Sequence, residues 1–255
     1  MTQTELLQIA LTQSAVDLNC TPADLVSGKK IVVESLPHPK ARAYLRLPFS
    51  CDLVSYGGGV VASVSPDVRE IVTNYIEKYP VEHLFETPNL HALDDALAAK
   101  GLRTCFMAEY FLPDLSALRP LPCPYETRLL GPEDLKALYL PQWSNALSHK
   151  RPHLDRLGVG AYNGDTLIGL AGCSADCDSM WQIGIDVLPA YRRQGIAAAL
   201  TARLALECLD RGKVPFYCAA WSNLPSVRNA IKAGFRPAWV ELTAKATETV
   251  NEMNA

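Results

Sequence analysis

Between Trp181 and Gly212 a two-residue hydrophobic period turns into a four-residue one within a few positions. Ile183, Ile185 and Val187 alternate with Gly184 and Asp186, the pattern of a half-buried strand. Pro189 ends it, because proline cannot donate to a strand ladder. Ile196, Leu200, Leu204 and Cys208 then recur every fourth residue, with Ala199, Leu206 and Leu209 widening the stripe, and Gly212 stands where a helix cap is expected. The joint is Arg192-Arg193-Gln194-Gly195. A strand that runs through a short basic turn into a helix constrains the chain to mix both element types in one core.

That joint is suited to an anion. The first N–H groups of a helix have no partner within it, and the macrodipole puts positive charge there. Gly195 and Ala197 let a diphosphate approach the backbone, and two arginines add charge and forked donors. Arg192, Arg193, Gln194, Gly195, Ile196, Ala197 and Ala198 are therefore the expected binding residues. The three glycines of a dinucleotide fingerprint and the Gly-Lys-Ser/Thr of a P-loop are both missing. The plainer alternative is an ordinary strand-turn-helix carrying surface arginines.

The pattern continues. A strand over Pro215–Ala220 is followed by Asn223-x-x-Ser226 opening a short helix, then Gly234-Phe235. With Arg192-x-x-Gly195-x-Ala197 after a Val-x-Pro strand end, this order resembles the GNAT superfamily, the Gcn5-related N-acetyltransferases. The resemblance implies an α/β (α+β) fold, a mixed sheet flanked by helices, over residues 124–255. It also implies acetyl-CoA as acyl donor, with pantetheine between the Ile185–Val187 strand and the Phe216–Ala220 strand. A backbone N–H near Val187 would polarise the thioester carbonyl. Asn223 and Ser226 would hold the pantetheine arm or order the splayed strand. A primary amine of a small molecule is the implied acceptor.

Two positions depart from the family pattern. Relatives often carry a glutamate five residues before the Asn and a tyrosine seven after it; here those positions are Cys218 and Ala230. Cys218, Ser222 and Asp186 are the remaining catalytic candidates. Tyr217 should face the other side of its strand. Water then carries the proton. The segment 141–157 should wall the acceptor pocket through Trp143, His149 and Arg151, with His153 nearby; the plainer reading is a solvated basic loop over one buried Trp. A non-catalytic acyl-CoA sensor is the rival function.

The rest of the chain sets limits. A net charge of −3 gives no general attraction to nucleic acid or anionic membrane, and no apolar run is long enough to span a bilayer. No signal peptide is read at the N-terminus, so a cytoplasmic location is expected. A homodimer is compatible with this reading. The eight cysteines show no disulfide rhythm, and no metal is expected, because Cys173 and Cys177 have no second pair and Pro152 separates His149 from His153.

In the first half, helices are expected over 4–19, 22–28, 66–79 and 89–100. Strands are expected over 30–35, 43–47, 51–55, 60–65 and 102–112, with Tyr56–Gly59 as a turn. Val64-Ser-Pro-Asp-Val-Arg69 echoes Val187-Leu-Pro-Ala-Tyr-Arg192, and Gly101-Leu-Arg echoes Gly234-Phe-Arg, which suggests a degenerate internal copy with Val72 at the position of Gly195. Four prolines over 113–124 mark the expected linker, giving domains 1–120 and 124–255. The second opens with a strand over 125–130, a helix over 132–139 and a hairpin turning at Asn163-Gly164 or Gly164-Asp165.

Overall fold

A computed structural model describes residues 1–255. In chain order the elements are α1 (Gln3–Leu18), α2 (Pro22–Leu25), β1 (Lys30–Glu34), β2 (Cys51–Ser55), β3 (Val60–Val64), α3 (Arg69–Lys78), α4 (Thr87–Ala98) and β4 (Leu102–Pro113). There follow β5 (Glu126–Leu130), α5 (Pro132–Leu135), β6 (Asp155–Asn163), β7 (Thr166–Ser174), β8 (Met180–Val187), α6 (Ile196–Asp210), β9 (Val214–Ala219), α7 (Leu224–Lys232), β10 (Phe235–Ala246) and α8 (Thr247–Met253). Two compact units result: residues 10–110 with 238–255, and residues 1–9 with 111–237. The expected cut at 120–124 is thus displaced. The second half of β10 bonds to β2, and Gln3 at the N-terminus bonds Pro113 and Leu115, so each end of the chain completes the other half's unit.

The unit built around residues 10–110 orders its strands β1-β3-β2-β10-β4. Cys51, Leu53, Ala62, Val64 and Leu242 fill one face beneath Val72, Tyr75 and Ile76 of α3 and Leu93 and Leu97 of α4. The expected strand over 43–47 does not form. The Arg42 backbone N–H donates to Asp17 Oδ1 at 2.9 Å and its guanidinium pairs with the same carboxylate at 3.2 Å, so a buried ion pair, not a ladder, holds this segment. Tyr56–Gly59 is the expected turn, with Gly57 at φ +98°.

The echo between halves has a structural counterpart. After β3 comes a 3-10 turn, Pro66–Val68, and then α3; after β8 comes a 3-10 turn, Pro189–Tyr191, and then α6. The difference is what lies between. α3 begins at once at Arg69, whereas four residues separate the second 3-10 turn from α6. Val72 is fully buried inside α3. β1 also pairs with β3 along its whole length, Lys30 with Val60 through Glu34 with Val64, leaving no opening beside β3.

In the second unit the order is β9-β8-β7-β6-β5, antiparallel except for the parallel β8–β9 pair. One face is covered by α6, whose Ile196, Leu200, Leu204 and Cys208 pack with Val159, Ile168, Ala171 and Ile183. On the other face α5 is a single turn, because the expected helix over 132–139 tightens to 3-10 at Lys136–Leu138. Trp143, Ala146 and Leu147 are buried there among Leu130, Leu135 and Leu170.

The chain from Asn145 to Ala146 lies directly on β7 and β8. Gly172 and Gly184 are register partners, and a Cβ on either would collide with the carbonyl oxygens of Ala146 and Asn145 respectively. Only hydrogen at these two positions lets backbone meet sheet. Gly184→Ala should therefore lower stability by about 3 kcal/mol, as overpacking of a rigid backbone contact does, read as a lower denaturant midpoint at unchanged slope.

Candidate functional site

β8 and β9 begin as neighbours and then part. Met180, Trp181 and Gln182 pair with Val214, Pro215 and Phe216, and pairing stops there, although β8 runs on to Val187 and β9 to Ala219. The Leu188 N–H donates to the Ile168 carbonyl at 2.9 Å. Bonds in an antiparallel pair fall on alternate residues, so Gly184 and Asp186 likewise face β7. Ile183, Ile185 and Val187 consequently aim their N–H and C=O groups towards the gap. Gln182 Nε2 donates to Cys218 Sγ at 3.1 Å where the gap narrows.

The basic turn lies past the end of β8. Arg193 and Gly195 both have left-handed backbone, φ +65° and +84°, and Gly195 caps α6. Arg192 turns back: its Nε donates to the Val187 carbonyl at 3.0 Å, stapling the turn to the strand. Gln194 accepts from Tyr125 at 3.0 Å. Ala199 takes the Gly195 carbonyl, so the N–H groups of Ile196, Ala197 and Ala198 are left at the helix end. Lys232, at the end of α7, brings its ammonium to 3.8 Å from where a Cβ on Gly195 would be. Neither Arg193 nor Lys232 enters an ion pair, so two free cations and a helix N-terminus converge on one exposed turn.

The other expected residues are placed as follows. Asn223 caps α7, its Oδ1 accepting from Ser226 N at 3.3 Å, and Ser226 Oγ meets the Tyr217 hydroxyl at 2.7 Å. This pair orders the junction of β9 and α7. Burial pushes the Tyr217 phenol upward, keeping it protonated. Cys218 is half-buried, Ser222 is exposed just beyond β9, and Ala230 is wholly buried.

Asp186 is heavily engaged. Its Oδ2 accepts from the backbone N–H groups of Asn145 at 2.8 Å and Ala146 at 3.0 Å, and its Oδ1 accepts from Asn145 Nδ2 at 2.7 Å. A carboxylate holding three donors is a clamp on the Asn145–Ala146 segment. Trp143 belongs to the core beneath that segment and is only 3% exposed, so it supports the wall from inside. His149 is exposed and lies edge-on to Tyr139 at 5.7 Å. Arg151 pairs at 3.0 Å with the buried carboxylate of Asp176, in the turn that precedes β8 and thus at the opposite end from Val187. His153 is exposed next to it.

Residues 129–238 match the family model described as GNAT acetyltransferase. That segment is a GNAT domain. A search of characterised proteins gives no match. Among solved structures, a protein from the GNAT family of Novosphingobium aromaticivorans is similar with 21% identity and a TM-score of 0.43 over 56% of this chain and 66% of that one. A GCN5-related N-acetyltransferase-like protein from Streptococcus suis is similar with 24% identity and a TM-score of 0.46, over 62% and 69% of the two chains. A Drosophila protein is similar over 96% of this chain and 91% of its own, with 14% identity and a TM-score of 0.48. This chain therefore spans just under two thirds of the length of the first of these.

The match to the GNAT acetyltransferase model over residues 129–238 supports acyl transfer in general for this segment. Three features of it escape sequence reading: Lys232 at the turn, Gln182 at the narrow end of the gap, and the clamp from Asp186 to Asn145. Lys232 could have been suspected, since the last turn of the helix after Asn223 follows the basic turn in the pattern. The other two depend on contacts between segments 36 and 41 residues apart. Asp186→Asn should loosen the clamp, because an amide in place of the carboxylate loses a charge-assisted acceptor. Amide hydrogen exchange at Asn145 and Ala146 should speed up by about tenfold or more, while exchange in α6 is unchanged.

Proposed function

We propose that the GNAT domain moves an acetyl group from acetyl-CoA to a primary amine on a small molecule, by direct transfer. The observation that carries this reading is the parting of β8 from β9 after three residue pairs, beside a helix N-terminus opened by Gly195. The residues fit the donor. The turn leaves space over Gly195, where a Cβ would meet nothing nearer than Lys232, and its cations are unpaired. Arg193, Lys232 and the N–H groups of Ile196, Ala197 and Ala198 would hold the diphosphate. Arg192 and Gln194 would fix the turn. The inward amide groups of Ile185 and Val187 would bond the pantetheine arm as an added strand, with Asn223 and Ser226 keeping the far wall in place.

Bound there, acetyl-CoA supplies a thioester carbonyl to which a neutral amine can add. The Val187 N–H, facing the gap, would stabilise the oxygen as charge builds on it. The Asn145–Ala146 segment, clamped by Asp186 and seated on Gly172 and Gly184, would wall the acceptor side. Cys218 touches the Gln182 amide, and Ala230 is buried, so neither position supplies a carboxylate or phenol. Water would take the ammonium proton, which favours an acceptor of modest pKa. The same absence favours the second reading, a domain that binds acyl-CoA as a sensor. Turnover of acetyl-CoA against a panel of amines, with product mass, separates the two. Eight free cysteines accord with a reducing compartment, and no helix is long and apolar enough to cross a membrane; we place the protein in the cytoplasm.

Calorimetric titration should show one CoA per chain, because β3 is fully paired with β1 and α3 has no preceding glycine turn. Gly195→Glu should weaken CoA binding by about 100-fold and Lys232→Glu by about tenfold, with the fold retained. Undiminished affinity in a folded Gly195→Glu protein would remove the assignment.

Cys218→Ala should lower kcat by less than about tenfold, since a true general base contributes about 10²–10⁴. A larger loss at unchanged CoA affinity would make the thiol the base.

A further inference from the structure

The unit built around residues 10–110 contains a charged cluster that the acyl-transfer reading leaves unused. Asp52 pairs in register with Thr243 and Val54 with Glu241, so all four project from one face of β2 and β10, opposite the apolar core of that unit. Over them lie Ser14, Asp17 and Leu18 of α1 and Arg42 and Leu45 of the segment after β1, enclosing a void. Asp17, Arg42, Asp52 and Glu241 are exposed by only 4%, 3%, 1% and 4%. Three carboxylates are thus buried with one guanidinium.

The Arg42 charge is matched by Asp17, with which it pairs at 3.2 Å, and the guanidinium also lies over the Trp239 ring. Asp52 and Glu241 remain. Burial pushes both carboxyl groups upward, and the Glu241 charge raises Asp52 further; Arg42 offsets part of the effect on each, and Tyr110 and Trp239 hydrogen-bond Glu241. The remaining titratable groups around them are the phenols of Tyr44, Tyr56 and Tyr110, with His38 towards Asp17. None of these supplies a second positive charge beside Asp52.

A second observation concerns hydrogen bonds. Asp52 is also the register partner of Ser63, so Ser63, Asp52 and Thr243 form a row across β3, β2 and β10. Each has a buried side-chain oxygen with no hydrogen-bond partner: Ser63 Oγ, Asp52 Oδ1 and Thr243 Oγ1. Orphaned buried polar atoms are costly and rare, and of these three Asp52 also lines the void. The void that Asp52 lines has room for about one water-sized group. Although three carboxylates line the void, they are not placed to ligate one metal ion together, and Asp17 is taken by Arg42.

We infer that this void binds one small monovalent cation, Na⁺, K⁺ or ammonium, against Asp52 and Glu241. The cation neutralises one of the two carboxylates, and a proton shared between them neutralises the other. Ser63 and Thr243 flank Asp52 in register on the neighbouring strands. Because the bound ion and a second proton compete for the same charge, binding strengthens as pH rises.

The test compares melting of the full chain in equal concentrations of NaCl, KCl, NH₄Cl and choline chloride, whose cation is too bulky to enter. At mildly alkaline pH at least one small cation should raise the melting temperature by about 3 °C or more over choline, and the best of the three names the ion. At acidic pH, where both carboxyl groups carry protons, the salts should become equal. Asp52→Asn should abolish the difference; if it does not fold, Glu241→Gln serves, and the wild-type salt series decides without either. Equal melting temperatures in all four salts at alkaline pH would overturn the proposal and leave protons alone to neutralise the cluster. CoA affinity should be the same in all four salts once ionic strength is matched, so this outcome is independent of the acyl-transfer reading.

Discussion

Everything in the GNAT domain turns on a hydrogen-bond ladder that stops early. Parallel strands normally gain by pairing to their ends, and unpaired amide groups in a half-buried strand are unfavourable. β8 and β9 forgo that pairing after Gln182 and Phe216, and the surrounding structure makes the break tolerable. α6 packs Ile196 and Leu200 under β8, the β7 ladder holds its other edge, and Arg192 ties the Val187 carbonyl to the turn. The open edge is therefore held in place, and on the reading proposed above its remaining donors and acceptors would take an extended amide-bearing chain.

The unit around residues 10–110 shows the alternative solution. There the strand in the comparable place, β3, is paired along all five residues by β1, and the 3-10 turn after it leads straight into α3. Two local changes separate the halves: a complete ladder instead of a broken one, and a helix that starts without a glycine turn. Either alone would remove a feature on which the proposed acyl-CoA site depends. The family resemblance carried by a strand-turn-helix order is thus a weaker guide to binding than the state of the strand's free edge.

Much of this was legible in the residues themselves. The alternation Ile183-x-Ile185-x-Val187, the four-residue spacing of α6, the cap at Gly212 and the hairpin at Asn163-Gly164 are local signals, and each element formed as its pattern required. The strand expected over 43–47 failed because its fate rests on Asp17, far away in sequence, which captures Arg42 and its backbone N–H. The domain cut failed for a related reason. Proline-rich composition marks where a chain is irregular, not where a strand crosses from one unit to another. At the site, helix-end chemistry pointed to Gly195, whereas the clamp on Asn145 could not be foreseen. Asp186 reads equally well as a base, a surface residue or an anchor until the opposing backbone is seen.

The placement of the last strand has a bearing on synthesis and partial chains. β10 supplies the neighbour of β2, and with it Leu242 for the apolar core and Glu241 for the buried polar cluster. A ribosome releases these residues after everything else in the sheet. Until then β2 keeps an exposed edge, a site where strands of other molecules could add. A fragment ending near residue 120 would carry that edge permanently. The N-terminal unit is thus made first and finished last, and its successful folding reports that the whole GNAT domain has already been translated.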